Sequence, residues 1–343
     1  LMKGDSLLGW VLTLAFVATV MHCGRVQAAY GSSPEAASAA ALLTQAEQIK
    51  LSDPTRFAHI LQRLHHDENL LTSTQRWHLK FLDAMQIILG GDYVKAKSAL
   101  HDIISHSGDA NLSARATAQL IQGESLSHHY EKAYALANTL LANLPKGTDS
   151  QVRLTILSNA IQMMIDVGQY DLALKYARQI KSSFHSAKAQ CTGTLLETQA
   201  LDHLHKLTSE SPAFANSINL CLANNQVVYA NALRFDLAIR LIEEGHAAKA
   251  VALLKRIAPS VHKAKYGYHI SELLVVLAEA YTRLGDDANA RKSALAALAR
   301  SDSASGNWIA QYANETLYIV EKRAGNAAAA LAYYEKFIAQ EKA

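Results

Sequence analysis

Proline is scarce in this chain, with five in 343 residues, and cysteine scarcer still, with three. Neither charge dominates: 33 basic and 30 acidic residues leave a formal net charge of +3, and no run of Lys and Arg forms a basic stripe. That balance disfavours nucleic-acid binding, and no nucleic-acid partner is expected. The alternation of a half-buried strand is missing. So are a Gly-rich phosphate loop, a nucleophile elbow, a His-Glu-x-x-His pair and carboxylates placed for acid–base work, which speaks against an enzyme in these residues. The longest apolar run, Leu7 to Val20, has 14 residues, short of the about 20 that cross a membrane.

What is present is a spacing. A glycine followed five residues later by an alanine recurs at Gly91/Ala96, Gly168/Ala173, Gly245/Ala250, Gly285/Ala290 and Gly325/Ala330, and His128/Ala133 keeps only the alanine. The alanines are 37, 40, 77, 40 and 40 residues apart, and 77 is close to two periods. A fixed period of this size means stacked helix hairpins. Glycine takes the positive φ that ends a first helix, where a side chain costs about 1 kcal/mol. The alanine lies one turn into the second helix, where the two backbones come close. Asp92 and Asp286 are N-caps, and Tyr93 and Tyr170 wedge into the joints.

The spacing predicts hairpins over 74–107, 111–144, 150–184, 188–224, 227–259, 267–300 and 307–342. The fourth is degenerate, turning at Ser209–Pro212 with Ala215 in the packing position. Loops after Gly147 and Pro259 are expected to alter the superhelical pitch. On the sixth unit Leu274, Leu277, Ala278 and Tyr281 form the buried face, with Val275, Ala278 and Thr282 along another. Ahead of the array, residues 29–73 form a helix pair and linker: a helix over 36–50, then one capped by Asp53 with Pro54 in its first turn and Phe57, Ile60, Leu61 and Leu64 inward. In the last helix Leu331, Tyr334 and Ile338 point inward, and no stop signal precedes Ala343, so the natural protein is expected to continue.

Residues 1–28 read as a signal peptide: Lys3, the apolar run, then Val26-Gln27-Ala28 as the cleavage site. An uncleaved anchor is the alternative. Export places the chain in the periplasm and gives Cys191 and Cys221 an oxidising setting. They flank one hairpin, and a disulfide is favoured over two buried thiols. A metal is not expected, because His65-His66, His128-His129 and His203/His205 lack the i, i+4 spacing of a helical site, and no cofactor is implied.

The hairpins resemble tetratricopeptide repeats, on Leu274, Leu277, Ala278, Tyr281, Gly285 and Ala290, and again on Leu237, Ala238, Leu241, Gly245 and Ala250. Unit one keeps Gly91-Asp92-Tyr93 and Ala96 but has Asp83 where a leucine is usual, so its first helix is expected to be irregular. The resemblance implies an all-α, right-handed superhelical solenoid of about seven antiparallel hairpins, whose first helices line a concave groove for a protein or peptide. By repeat position Arg115, Gln122, Gln162, Phe235, Glu272, Glu279, Tyr312 and Glu315 face that groove. A narrower resemblance, on Ser52–Phe57, Gln75–Leu79, Tyr229–Arg234 and Tyr333–Phe337, is to the exported repeat regions of bacterial membrane-bound diguanylate cyclases, whose catalytic domain is absent here. It implies a periplasmic sensor tied to the membrane through a further C-terminal segment. The alternative is a stand-alone periplasmic scaffold bridging envelope proteins. A third class, an envelope-active enzyme such as a lytic transglycosylase, lacks its lysozyme-like domain.

Overall fold

The structure, a computed structural model, describes residues 34–341 except 128, 145, 146 and 301–306. The expected signal segment, His128, the Pro145-Lys146 step before Gly147 and Ala343 lie outside the described residues. Among the described residues every regular element is helical. The chain runs α1 (Pro34–Ile49), α2 (Pro54–His66), α3 (Ser73–Gly90), α4 (Tyr93–His106), α5 (Ala110–Leu126), α6 (Tyr130–Ala142), α7 (Ser150–Asp166) and α8 (Tyr170–Ser183). It continues α9 (Ala187–His203), α10 (Pro212–Ala223), α11 (Val227–Glu243), α12 (Ala247–Ala264), α13 (Gly267–Leu284), α14 (Asp287–Arg300), α15 (Asn307–Arg323) and α16 (Ala327–Glu341).

Each hairpin packs on the next, and first helices also touch first helices, α5 on α7, α7 on α9, α9 on α11, α11 on α13 and α13 on α15. The result is a solenoid with an inner layer of odd-numbered helices and an outer layer of even-numbered ones. The turn glycines all have positive φ, from 74° to 99°. Each makes the same pair of backbone bonds: Gly245 N–H donates to Ile242 O and His246 N–H to Leu241 O, at 3.0 and 2.7 Å. This is the two-bond closure of a helix end. The partner alanines Ala96, Ala133, Ala173, Ala250 and Ala290 are fully buried. Asp92 and Asp286 cap α4 and α14 by accepting from the backbone N–H of Lys95 and Asn289.

Several expectations are corrected. Asp83 does not disturb α3, which is continuous. It faces outward and bonds the His65 ring at 2.9 Å, while Leu82 and Ala84 on either side are buried. No loop follows Pro259. The helix α12 runs through it to Ala264, because Pro259 sits on the exposed face where water can satisfy the carbonyl it leaves unpaired. In unit four Ala215 is exposed, and Phe214 and Ser217 fill the joint. On α13 Leu274 and Leu277 are only half-buried, whereas Val275, Ala278, Tyr281 and Thr282 are buried. An inner-layer helix is enclosed on both flanks, so it has no single buried stripe. On α16 Leu331 and Tyr334 are exposed, since only α15 covers that helix and it buries the Ala330 and Tyr333 side instead. Cys191 on α9 and Cys221 on α10 are joined by a disulfide with Cα atoms 4.9 Å apart.

Candidate functional site

The solenoid closes one turn on itself. The N-terminal pair, α1 and α2, shares a core with the end of α3 and with Val228 and Tyr266, so Phe57 and Leu89 belong to the same cluster as residues far along the chain on α11 and at the start of α13. The closure point is the two-residue step between α12 and α13. There Lys265 Nζ donates to Thr55 Oγ1 at 2.9 Å, the Tyr93 and Tyr266 hydroxyls lie 3.4 Å apart, and Gly267 lies against Gly90 and Gly91. A Cβ added at Gly267 would sit 2.1 Å from the Gly90 carbonyl oxygen, so the approach admits only glycine.

The concave face therefore bounds a central cavity of about 630 Å³ rather than an open groove. It is lined by the inner helices α1, α3, α5, α7, α9, α11 and α13, and its size suits a small or peptide ligand. Arg115, Gln122, Gln162 and Glu272 line it. Phe235 does not: it is fully buried in the core between α11 and α13, edge-on to His269 at 5.3 Å. One residue along a helix rotates by about 100°, and the neighbouring Asp236 meets the cavity instead, on the same α11 face as Val228, Tyr229 and Ala232. Glu279, Tyr312 and Glu315 stand outside the cavity. They form an acidic group with Glu243, in which burial raises Glu279 against the opposing pull of Arg283, with a smaller push from Glu315 and Glu243, and burial and then the neighbouring carboxylates raise Tyr312.

One end of the cavity is organised by Glu47 on α1. It accepts from Arg115 Nη2 at 2.6 Å and from His78 Nε2 at 3.1 Å, and it pairs with Lys50. Burial alone would raise the Glu47 carboxyl, but His78, Lys50 and Arg115 together hold it well below the usual range. Burial lowers Lys50 to about 8 against the pull of Glu47, and Arg115 and Lys188 push the same way. The Arg115 guanidinium lies over the Phe81 ring at 4.3 Å, which fixes its plane.

The opposite wall is acidic. Burial pushes Asp236 up to about 7, helped by Asp202, while Gln199 pulls down by donating to it at 3.1 Å. Burial raises Glu272 well above the carboxylate range, reinforced by Asp236. Burial lowers His269 to about 3, so its ring is neutral, and its Nδ1 has no hydrogen-bond partner. Between the two ends Asp166 accepts from Ser125 Oγ at 2.6 Å and Gln162 Nε2 at 3.1 Å. The sequence reading missed Glu47, Lys50, Lys188, Asp236 and His269. The first two precede the array, and the rest could be found only by advancing the groove register along each first helix.

No protein-family model matches the chain, and no curated protein matches it. Among solved structures, a Rap protein complexed with competence and sporulation factor superposes with a TM-score of 0.66 over 89% of this chain and 85% of that one, at 13% identity. The fold is a tetratricopeptide-like helical repeat. At that identity the likeness carries the architecture and nothing about activity. Among the described residues there is no group of three or more His, Cys, Asp or Glu able to hold a metal ion, and no helix long and apolar enough to cross a membrane.

Proposed function

We propose that this chain is a non-catalytic binding module that captures a peptide or small ligand in its central cavity. One observation carries the reading. Seven inner helices converge on one central cavity, partly open to solvent, whose wall mixes apolar side chains such as Met85, Leu195 and Val228 with charged and amide groups. A solenoid built only for rigidity has no need of a polar interior. The similar Rap protein was solved with a bound factor, which supports a fold suited to capture.

The wider setting belongs to the same proposal. The signal-like segment expected from residues 1–28 and the resemblance to cyclase sensor regions are what support reading the chain as a periplasmic module that reports ligand occupancy to a membrane-linked diguanylate cyclase. Sequencing the gene past Ala343 tests that setting: a membrane span followed by a Gly-Gly-Asp/Glu-Glu-Phe domain would support it, and a stop codon there would remove it in favour of a stand-alone scaffold.

The cavity itself is tested by filling it. Ala232 is a small lining residue on α11, and Ala232→Trp places an indole in the space. Random pentapeptide pools should raise the melting temperature of the parent protein and leave the tryptophan variant unmoved, while both give the same helical circular dichroism. Equal responses of parent and variant would place binding elsewhere.

A further inference from the structure

The two ends of the cavity differ in charge in a way that specifies a ligand, given the reading of the cavity as a binding site. At the first end the cavity is lined by three cations, Lys50, Arg115 and Lys188, and one carboxylate, Glu47, with Lys188 near enough to Lys50 to be felt by it. Lys50 and Arg115 share that carboxylate, and Lys188 has no acidic group within ion-pair distance among the described residues. At the second end Asp236 and Glu272 have no Lys or Arg within ion-pair distance among the described residues. The sole hydrogen-bond partner of Asp236 there is Gln199, and the nearest basic atom to Glu272 is His269 Nε2 at 3.8 Å.

This second wall has further unused polar atoms. His269 is 4% exposed with Nδ1 unpartnered, and Gln199 Oε1 is buried without a donor. The other charged groups nearby are already committed: Asp202 accepts from Arg240 Nε at 2.8 Å, Arg240 also pairs with Glu243, and Asp166 is held by Ser125 and Gln162. Tyr266 and Tyr268 complete the surround, both held protonated by burial. Buried polar groups left unpaired are costly, so a wall of this kind discriminates strongly for a ligand that pairs them.

We propose that the cavity recognises a short zwitterionic peptide, holding an amine or guanidinium between Asp236 and Glu272 and a carboxylate among Lys50, Arg115 and Lys188. A polyamine supplies nothing for the cationic end, and a dicarboxylate nothing for the acidic end. A peptide with a basic group and a free C-terminus supplies both. The raised carboxyls fit this role: the empty site holds protons instead of bare buried charge, and an arriving cation takes their place. Binding therefore releases protons below about pH 7, the value to which Asp236 is pushed, and tightens as pH rises toward it.

The test uses pentapeptide pools with one fixed arginine and a free C-terminus, matched pools with citrulline for arginine, and matched pools ending in an amide, titrated calorimetrically into the parent protein. The arginine free-acid pools should bind about tenfold or more tighter than either neutralised set, as expected for losing one charge-assisted, desolvated contact. Asp236→Asn or Glu272→Gln should erase the preference for arginine over citrulline and keep that for acid over amide. Lys188→Met should do the reverse. Because the peptide comparison is made first on the parent chain, it stands even where a variant folds poorly. Equal binding of all three sets overturns the charge rule and leaves the cavity reading intact. Binding by no pool overturns both.

Discussion

At the scale of single residues, Asp236 shows how a cavity wall is kept open at a cost in stability. Its carboxyl ionises near 3.8 in the unfolded chain and is pushed up to about 7 in the fold, chiefly by burial. Between those values the folded chain holds a proton that the unfolded chain has lost, so stability falls as pH rises from about 4 to about 7 and then levels off. Glu272 acts in the same direction. Asp236→Asn removes the titration and keeps the bond from Gln199 satisfiable. The variant should exceed the parent by roughly 1–3 kcal/mol at pH 8, a range discounted because Asp236 is only half-buried and water reaches it through the cavity. At pH 4 the gain should vanish. Urea unfolding at the two pH values reads the difference, and a gain independent of pH would mean that Asp236 is not the group responsible. The register error at Phe235 belongs to this scale too. Repeat position identified the right helix and turn, and missed by one residue because inner helices are buried on both flanks, which removes the polar stripe that normally fixes rotation.

At the scale of elements, the sequence carried most of the fold because each hairpin is closed by local chemistry. Positive-φ glycine, N-capping Asp and buried alanine all act within about six residues of one another, so they are legible without knowing what lies across the molecule. Joints that use other residues were harder to see. His205 and Asn225 adopt φ of 54° and 55° and make the same two-bond closure, with no glycine to mark it. The two kinds of joint give opposite predictions. Nothing lies within 4 Å of a Cβ added at Gly245, so Gly245→Ala tests backbone strain alone and should cost about 1 kcal/mol. His205→Gly relieves that strain but frees the unfolded chain, and should gain at most about 1 kcal/mol. Melting curves of the two variants decide. A stabilising Gly245→Ala would show that these turns are not the source of the repeat's glycine signal.

At the scale of the whole molecule, the closure was invisible in the sequence for a physical reason. Every repeat signal describes a unit and its neighbour, whereas closure depends on curvature summed over five units until α3 meets α13. The groove expected from the repeats is thereby turned into a cavity, and Gly267 is the residue on which that contact turns. Its added Cβ would meet the Gly90 carbonyl oxygen at 2.1 Å and the Gly91 nitrogen at 3.0 Å, backbone atoms with no flexible end to yield. Gly90 makes a close control, since a Cβ added there meets nothing within 4 Å. Gly267→Val should force α3 and α13 apart and break the Tyr93–Tyr266 and Lys265–Thr55 contacts. The hairpins themselves, each closed locally, should keep their helical content. Solution scattering should report a larger radius of gyration, and amide exchange should rise in α1 to α3 while α14 to α16 stay protected. Gly90→Ala should match the parent in both measurements. An unchanged radius for Gly267→Val would mean that the ring is held elsewhere, and the N-terminal helix pair, whose core is shared with Val228 and Tyr266, would then be the element to remove next.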